Sequence, residues 1–249
     1  LVKLFPERKE QLCVHIADTP AEEVEAAVMA LKNEIIHLMQ ECQLYTLRSL
    51  HIDKTLVFEE PLPFEKGKKK QASIDDFYIN IKELHSSIIA YYSLIQTQQL
   101  DETVAQDLER AILASRNIMN SAKNFKGIRP DFDEFESSDS AFLNRQYDRF
   151  RKRLITLYHE INEVLSLKDE QLLYAAVIKA FAHVEQADKL FIQQIVQMSS
   201  TGKEENLDLS TLFLVNRLFT QACRMLIFSM KDVLLTHEKT IAFDKAVEP

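Results

Sequence analysis

Glycine and proline are scarce: the 249 residues hold three Gly and six Pro, the prolines at positions 6, 20, 61, 63, 130 and 249. A sheet of this size needs many more turn residues, so long uninterrupted helices are expected in place of strands. Three glycines can hardly build a phosphate cradle, and no Walker-type loop, G-x-S-x-G, H-E-x-x-H or C-x-x-C is present. With no nucleophilic triad visible, catalysis is not expected. Cys13, Cys42 and Cys223 are odd in number and far apart, which favours reduced thiols in a cytosolic compartment over a disulfide framework or a zinc site. Small buried hydrophobes are their expected role. The most apolar run, "LFLVNRLFTQACRMLIFSM", is broken by Arg217 and Arg224, and no stretch reaches the roughly 18 uncharged apolar residues that span a bilayer. An excess of positive charge is also missing. With 38 acidic and 30 basic side chains the net charge is -8, which repels a phosphate backbone and argues against nucleic acid as a partner. The opening "LVKLFPERKEQ" has neither an initiator Met nor a signal-peptide core, so a removed upstream part is expected.

What is present is helical periodicity in a chain that is 46% apolar, and the fold class read from it is all-α. In "DTPAEEVEAAV" Thr19 is placed to cap, Pro20 suits the first helical position and Glu22 completes a capping box, so the first helix is expected over about 19–50. "EEPLPFEKGKKKQA" reads as a solvated linker. Ser73 with Asp76 opens a second helix over about 73–99, and Asp101 caps a third over about 101–126, whose seam includes Ile118, Ala122 and Phe125. Gly127 and Pro130 are expected to end that helix, leaving 127–137 as a linker. Helices over about 138–165, 168–199 and 207–239 follow, with Ser166 and Asp169 as a capping pair. Short connections imply antiparallel neighbours, hence two three-helix bundles over 18–126 and 138–240, behind a lead-in over 1–17.

Few side chains suggest chemistry. A di-iron bundle needs two Glu-x-x-His helices, and "EIIH", Glu34 to His37, is the single match; a structural or surface role is favoured. In "HVEQAD" Glu185 and Asp188 share a helix face, whereas His183 points about 200° away from Glu185. A solvated acidic pair is favoured there over a cation site. Lys66, Lys68, Lys69 and Lys70, and the cluster Arg145 to Arg153, are candidates for contact with anionic headgroups, weighed against ordinary solvated faces. In "LASRNIMNSAKNF", Arg116, Asn120 and Asn124 form a polar stripe at every fourth residue.

Two sets of three helices with a distinctive segment on the third of each resemble the PhoU fold. That family's third helices carry a signature close to Glu-Arg-Ile-Gly-Asp-His-Ala-x-Asn, whose acids bind a metal cluster. In "RNIMNSAKN" Arg116 stands at the Glu position, Asn120 at the Asp and Asn124 at the Asn; in "NRLFTQA" Asn216 stands at the Glu, Arg217 at the Arg and Thr220 at the Asp. The frame is kept and the carboxylates are gone, so the metal-ligand role is not carried over: hard cations need anionic oxygens. "SRNIMNSAKNFKGI", "ESSDS" and "NRLFTQACRMLIFSM" are most similar to the PhoU-like cytoplasmic tail of bacterial sodium/phosphate cotransporter-related membrane proteins, and "LVKLFPE" to the stretch after their last membrane helix. The resemblance covers about residues 1–240. It implies a regulatory domain on the cytoplasmic side of the inner membrane, without a cofactor, partnered by an attached or associated transport domain and by a second copy in a homo-oligomer. It also points to two third-helix contact surfaces, one of Arg116, Asn120 and Asn124 and one of Asn216, Arg217 and Thr220. The rivals are a free-standing PhoU-type metal-binding regulator of phosphate transport and signalling and, further off, a helical-bundle metalloenzyme.

Overall fold

The computed structural model describes residues 12–60, 62, 73–200 and 208–248. Among them are seven α-helices and no strand: α1 (Val24–Ser49), α2 (Ile74–Ile95), α3 (Glu102–Ser137), α4 (Ala141–Ser166), α5 (Glu170–Ser200), α6 (Leu209–Leu234) and α7 (His237–Val247). None is long and apolar enough to cross a membrane.

Local chemistry sets most helix starts. Ser73 Oγ accepts from the Asp76 N–H at 3.1 Å while an Asp76 carboxylate oxygen accepts from the Ser73 N–H at 2.8 Å, so the expected capping box forms. Asp101 accepts from the Val104 N–H at 2.8 Å. Each such cap is worth about 1 kcal/mol. Two cap expectations are corrected. Thr19 donates to the His15 carbonyl at 2.9 Å instead of capping, and α1 starts at Val24 with no side-chain cap. Ser166 closes α4 by donating to the Glu163 carbonyl at 2.7 Å, and Asp169 alone caps α5 by accepting from the N–H groups of Gln171 and Leu172 at 3.0 and 2.9 Å.

The expected linker at 127–137 is helix. α3 continues through Gly127 and Pro130 because Ile128, Phe132 and Phe135 extend the seam of Ile118, Ala122 and Phe125 and are all buried. Burying three large apolar side chains contributes about 6 kcal/mol, which outweighs the roughly 3 kcal/mol that an interior proline costs. Pro130 itself lies on the exposed side of the helix, where solvent is at hand for the carbonyl whose N–H partner it removes. Gly127→Ala and Pro130→Ala are therefore expected to stabilise the chain, by about 1 and 2 kcal/mol. Nothing lies within 4 Å of a Cβ added at Gly127. A double variant that melts below the parent in a thermal scan would refute a continuous α3. A second boundary also moves: the helix expected over 207–239 stops at Leu234, and α7 starts after Thr236.

α1 packs on α2 and α3, α5 packs on α4 and α6, and the most extensive interface runs between α3 and α6. Small residues let those two helices approach closely. Ala111, Ala114, Ser121, Ala122, Ala222 and Ser229 are all buried, with Ser121 Oγ donating to the Ala222 carbonyl at 2.9 Å and Ser229 Oγ to the Ala114 carbonyl at 3.1 Å. Below this joint Phe132, Phe150 and Phe219 pack in tilted and edge-to-face pairs with ring centroids 5.0 to 6.3 Å apart, and Phe191 closes on Phe150 at 5.3 Å. The aromatic cluster thus ties α3, α4, α5 and α6 together, and a polar site is built against it.

Candidate functional site

Four polar side chains from three helices meet beside Phe150 and Phe219. Arg153 on α4 donates through Nη1 to Asn216 Oδ1 at 2.7 Å and through Nη2 to Thr220 Oγ1 at 3.1 Å. Asn216 Nδ2 and Thr220 Oγ1 donate in turn to Asp188 Oδ1 on α5, at 2.6 and 3.0 Å. The cation and the anion are thereby joined through two neutral groups, each accepting on one side and donating on the other. The guanidinium also lies over the rings of Phe150 and Phe219, 5.4 and 4.8 Å from their centroids. Burial pushes its pKa below the ordinary value, against the pull of the Asp188 charge. One turn away, Glu185 holds Arg224 with two bonds at 2.5 and 2.8 Å. Glu185 and Asp188 are therefore both partnered, not the solvated acidic pair expected from sequence.

A cavity of about 270 Å³ opens between α4, α5 and α6 next to this network. Leu157, Val184, Phe219 and Cys223 form its buried walls, and Arg153 lines it from the network side. His183, paired with Glu160 across from α4, stands at the exposed rim with Lys152. Burial pushes the Cys223 thiol up to about 12, so it is a protonated wall and not a nucleophile. Cys42, also pushed to about 12 by burial, is equally inert.

The residues of the two expected third-helix contact surfaces stand in different environments. Arg116 and Asn120 are exposed on α3 and Asn124 is half-buried, its amide reaching Met225 Sδ at 3.9 Å. Arg217 is exposed on α6. Asn216 and Thr220, however, are each only 2% exposed beneath Arg153, and no partner can touch them while the helices stay packed. Arg116 has a local effect: with burial, its charge lowers the pKa of His85, whose ring pairs with Ser115 Oγ at 2.7 Å. Lys66, Lys68, Lys69 and Lys70 lie outside the described residues. Within the basic cluster Arg145 and Lys152 are exposed, Arg149 reaches Gln194 at 2.8 Å, Arg151 donates to the His51 carbonyl at 3.0 Å, and Arg153 is committed to the interior.

Glu34, singled out with His37 for metal chemistry, has another task. Its carboxylate is fully buried and accepts from the N–H groups of Val14, His15 and Ile16 at 3.0, 2.6 and 3.0 Å, while His37 Nδ1 sits 2.7 Å from its other oxygen. Glu41 stands 3.5 Å from His37 Nε2. Burial pushes the Glu34 carboxyl up, but the bonds from His37 and the three N–H groups outweigh it and leave the pKa below its ordinary value. For His37 burial acts downward and is outweighed by Glu34 and Glu41, which leave its pKa raised. The arrangement clasps the lead-in to α1. Among the described residues, no group of three or more His, Cys, Asp or Glu is arranged to hold a metal ion.

Sequence reasoning placed Arg153 only within a basic cluster and did not connect it with Asp188. A signal was there. Arg153 lies three residues after Phe150 and four before Leu157; Asp188 lies four after Val184 and three before Phe191; Asn216 lies four after Leu212 and three before Phe219. Polar residues in seam register are those a helix must bury, and so must pair. The chain matches no protein-family model, no curated protein and no solved structure.

Proposed function

We propose that this chain is a regulatory and interaction module without catalytic activity, with a PhoU-like arrangement in which α1, α2 and α3 form one three-helix set and α4, α5 and α6 the other. In this reading it acts on the cytoplasmic side of the membrane as the tail of a sodium-dependent phosphate transporter-like protein and modulates phosphate uptake. The likeness of "SRNIMNSAKNFKGI" and "NRLFTQACRMLIFSM" to such tails supports the assignment to a transporter. The observation that carries the non-metal form of the reading is the guanidinium of Arg153 on Asn216 and Thr220. Those two residues stand where the resemblance puts metal-binding acids. Here they are neutral, and a side-chain cation already sits on them, so the site does not fit a metal.

Coupling to a transport domain requires contacts that differ between its states, and of the six residues named from the resemblance Arg116 and Asn120 on α3 and Arg217 on α6 are exposed for them. Removing residues 24–248 from the full-length protein is expected to change sodium-dependent phosphate uptake several-fold in cells. Uptake left at its original level would overturn the transporter reading. Elemental analysis of the purified chain is expected to find less than about one tenth of an equivalent of bound iron or zinc, and a stoichiometric metal would favour the metal-binding regulator instead.

A further inference from the structure

We propose that the cavity between α4, α5 and α6 is a binding site for a small amphipathic monocarboxylate, whose carboxylate pairs with Arg153 while its apolar body fills the space beside Phe219.

The charge argument comes first. A guanidinium has five N–H donors. Arg153 uses one on Asn216 and one on Thr220, and among the described residues its other donors meet no acceptor. Among the described residues it forms no direct ion pair, and Asp188 is reached through the two neutral side chains. A half-buried cation that lines a cavity with donors to spare has a place for an anion, and an arginine fork binds a carboxylate through two parallel bonds.

The shape and lining select the class. Leu157, Val184 and Phe219 are buried, apolar and face the same space, and they leave a ligand's body nothing to hydrogen-bond. A cavity of about 150 Å³ holds benzene, so 270 Å³ admits a ligand of roughly ten non-hydrogen atoms, such as a substituted benzoate or a medium-chain fatty acid. A phosphate suits the site less well. It brings no apolar body to fill the space beside Phe219, and half-buried Glu160, paired with His183, opposes a dianion about twice as strongly as a monocarboxylate. Lys152, exposed at the rim, draws an anion towards the opening.

This inference does not depend on the transporter reading, which the uptake assay tests separately. Calorimetry on the whole chain with 4-methylbenzoate and octanoate is expected to show saturable binding at micromolar to millimolar concentration. The matching amides, which keep the shape and lose the charge, are expected to bind at least about tenfold more weakly. Ala187 is half-buried in the wall, so Ala187→Leu fills the cavity without touching the polar network and is expected to weaken binding at least about tenfold. Circular dichroism of that variant shows whether its helices are intact, and Thr156→Leu at the exposed rim is a second occlusion should Ala187→Leu fail to fold. Acid and amide binding alike, binding that survives both occlusions, inorganic phosphate binding more tightly than either acid, or no saturable binding up to millimolar concentration would each overturn the proposal.

Discussion

Arg153→Ala is expected to cost about 4 kcal/mol in folding stability, because it removes the cation from a largely buried network and strands the acceptors it served. Asn216 Oδ1 loses its donor, and Asp188 keeps its negative charge with the balancing positive charge gone. The stacking over Phe150 and Phe219 goes with it, at about 1 kcal/mol. A double-mutant cycle sharpens the point. Arg153→Met together with Asp188→Asn removes both charges while keeping side-chain volume, so the pair is expected to lose about 2 kcal/mol less than the sum of the single losses. Urea unfolding of the four proteins measures this coupling. Additive losses would mean that cation and anion do not sense each other through Asn216 and Thr220.

Glu34→Gln is the second large loss, about 3 kcal/mol, with a local signature that the first lacks. One buried carboxylate serves three backbone N–H groups and an imidazole, and glutamine offers them a single acceptor oxygen and a competing NH2. Hydrogen exchange at residues 14–16 is expected to accelerate well before global unfolding, as the lead-in leaves α1. Unchanged exchange there would remove the clasp from the account. The native protein should also show a pH window. Glu34 has a depressed folded pKa, so its contribution is complete above the unfolded value of about 4.3 and fades as pH falls through the folded value. His37 has a raised folded pKa, so its contribution is complete below about 6.5 and fades as pH rises through the folded value. The clasp is therefore tightest between those two limits, and Glu34→Gln should flatten the dependence of urea stability on pH at both ends.

Helix identity was legible wherever a start signal and a seam agreed, as at Ser73 with Asp76 and at Asp101. It failed where local and long-range signals disagreed. Gly127 and Pro130 are sound stop signals for an isolated helix, yet Ile128, Phe132 and Phe135 kept the seam's spacing past them, and burial decided in favour of continuation. Thr19 failed for a related reason: the carboxylate of Glu34 gathers the N–H groups of 14–16, and this holds the chain out of helix before Glu23.

The candidate site divides in the same way. Periodicity correctly put Arg116 and Asn120 on the wet side of α3, because a solvated stripe is a property of one helix and its own 3.6-residue repeat. The same frame applied to α6 gave the wrong environment for Asn216 and Thr220. Whether a polar side chain faces water or a neighbouring helix depends on which helix is there, and the residue across the gap, Arg153, is 63 positions away from Asn216.

By itself the sequence determined an all-helical chain with acidic balance, three cysteines in no C-x-x-C spacing and no recognisable catalytic motif, since each of these follows from composition or from residues within a few turns of one another. Only the tertiary structure decided that Arg153 sits on Asn216 and Thr220, that Asp188 balances it, that Glu34 holds the lead-in and that a cavity opens beside Phe219. Those facts belong to pairs of helices. Their energies come from burying charge between surfaces that meet only when the helices pack, and one helix's pattern of polar and apolar residues does not specify the partner's.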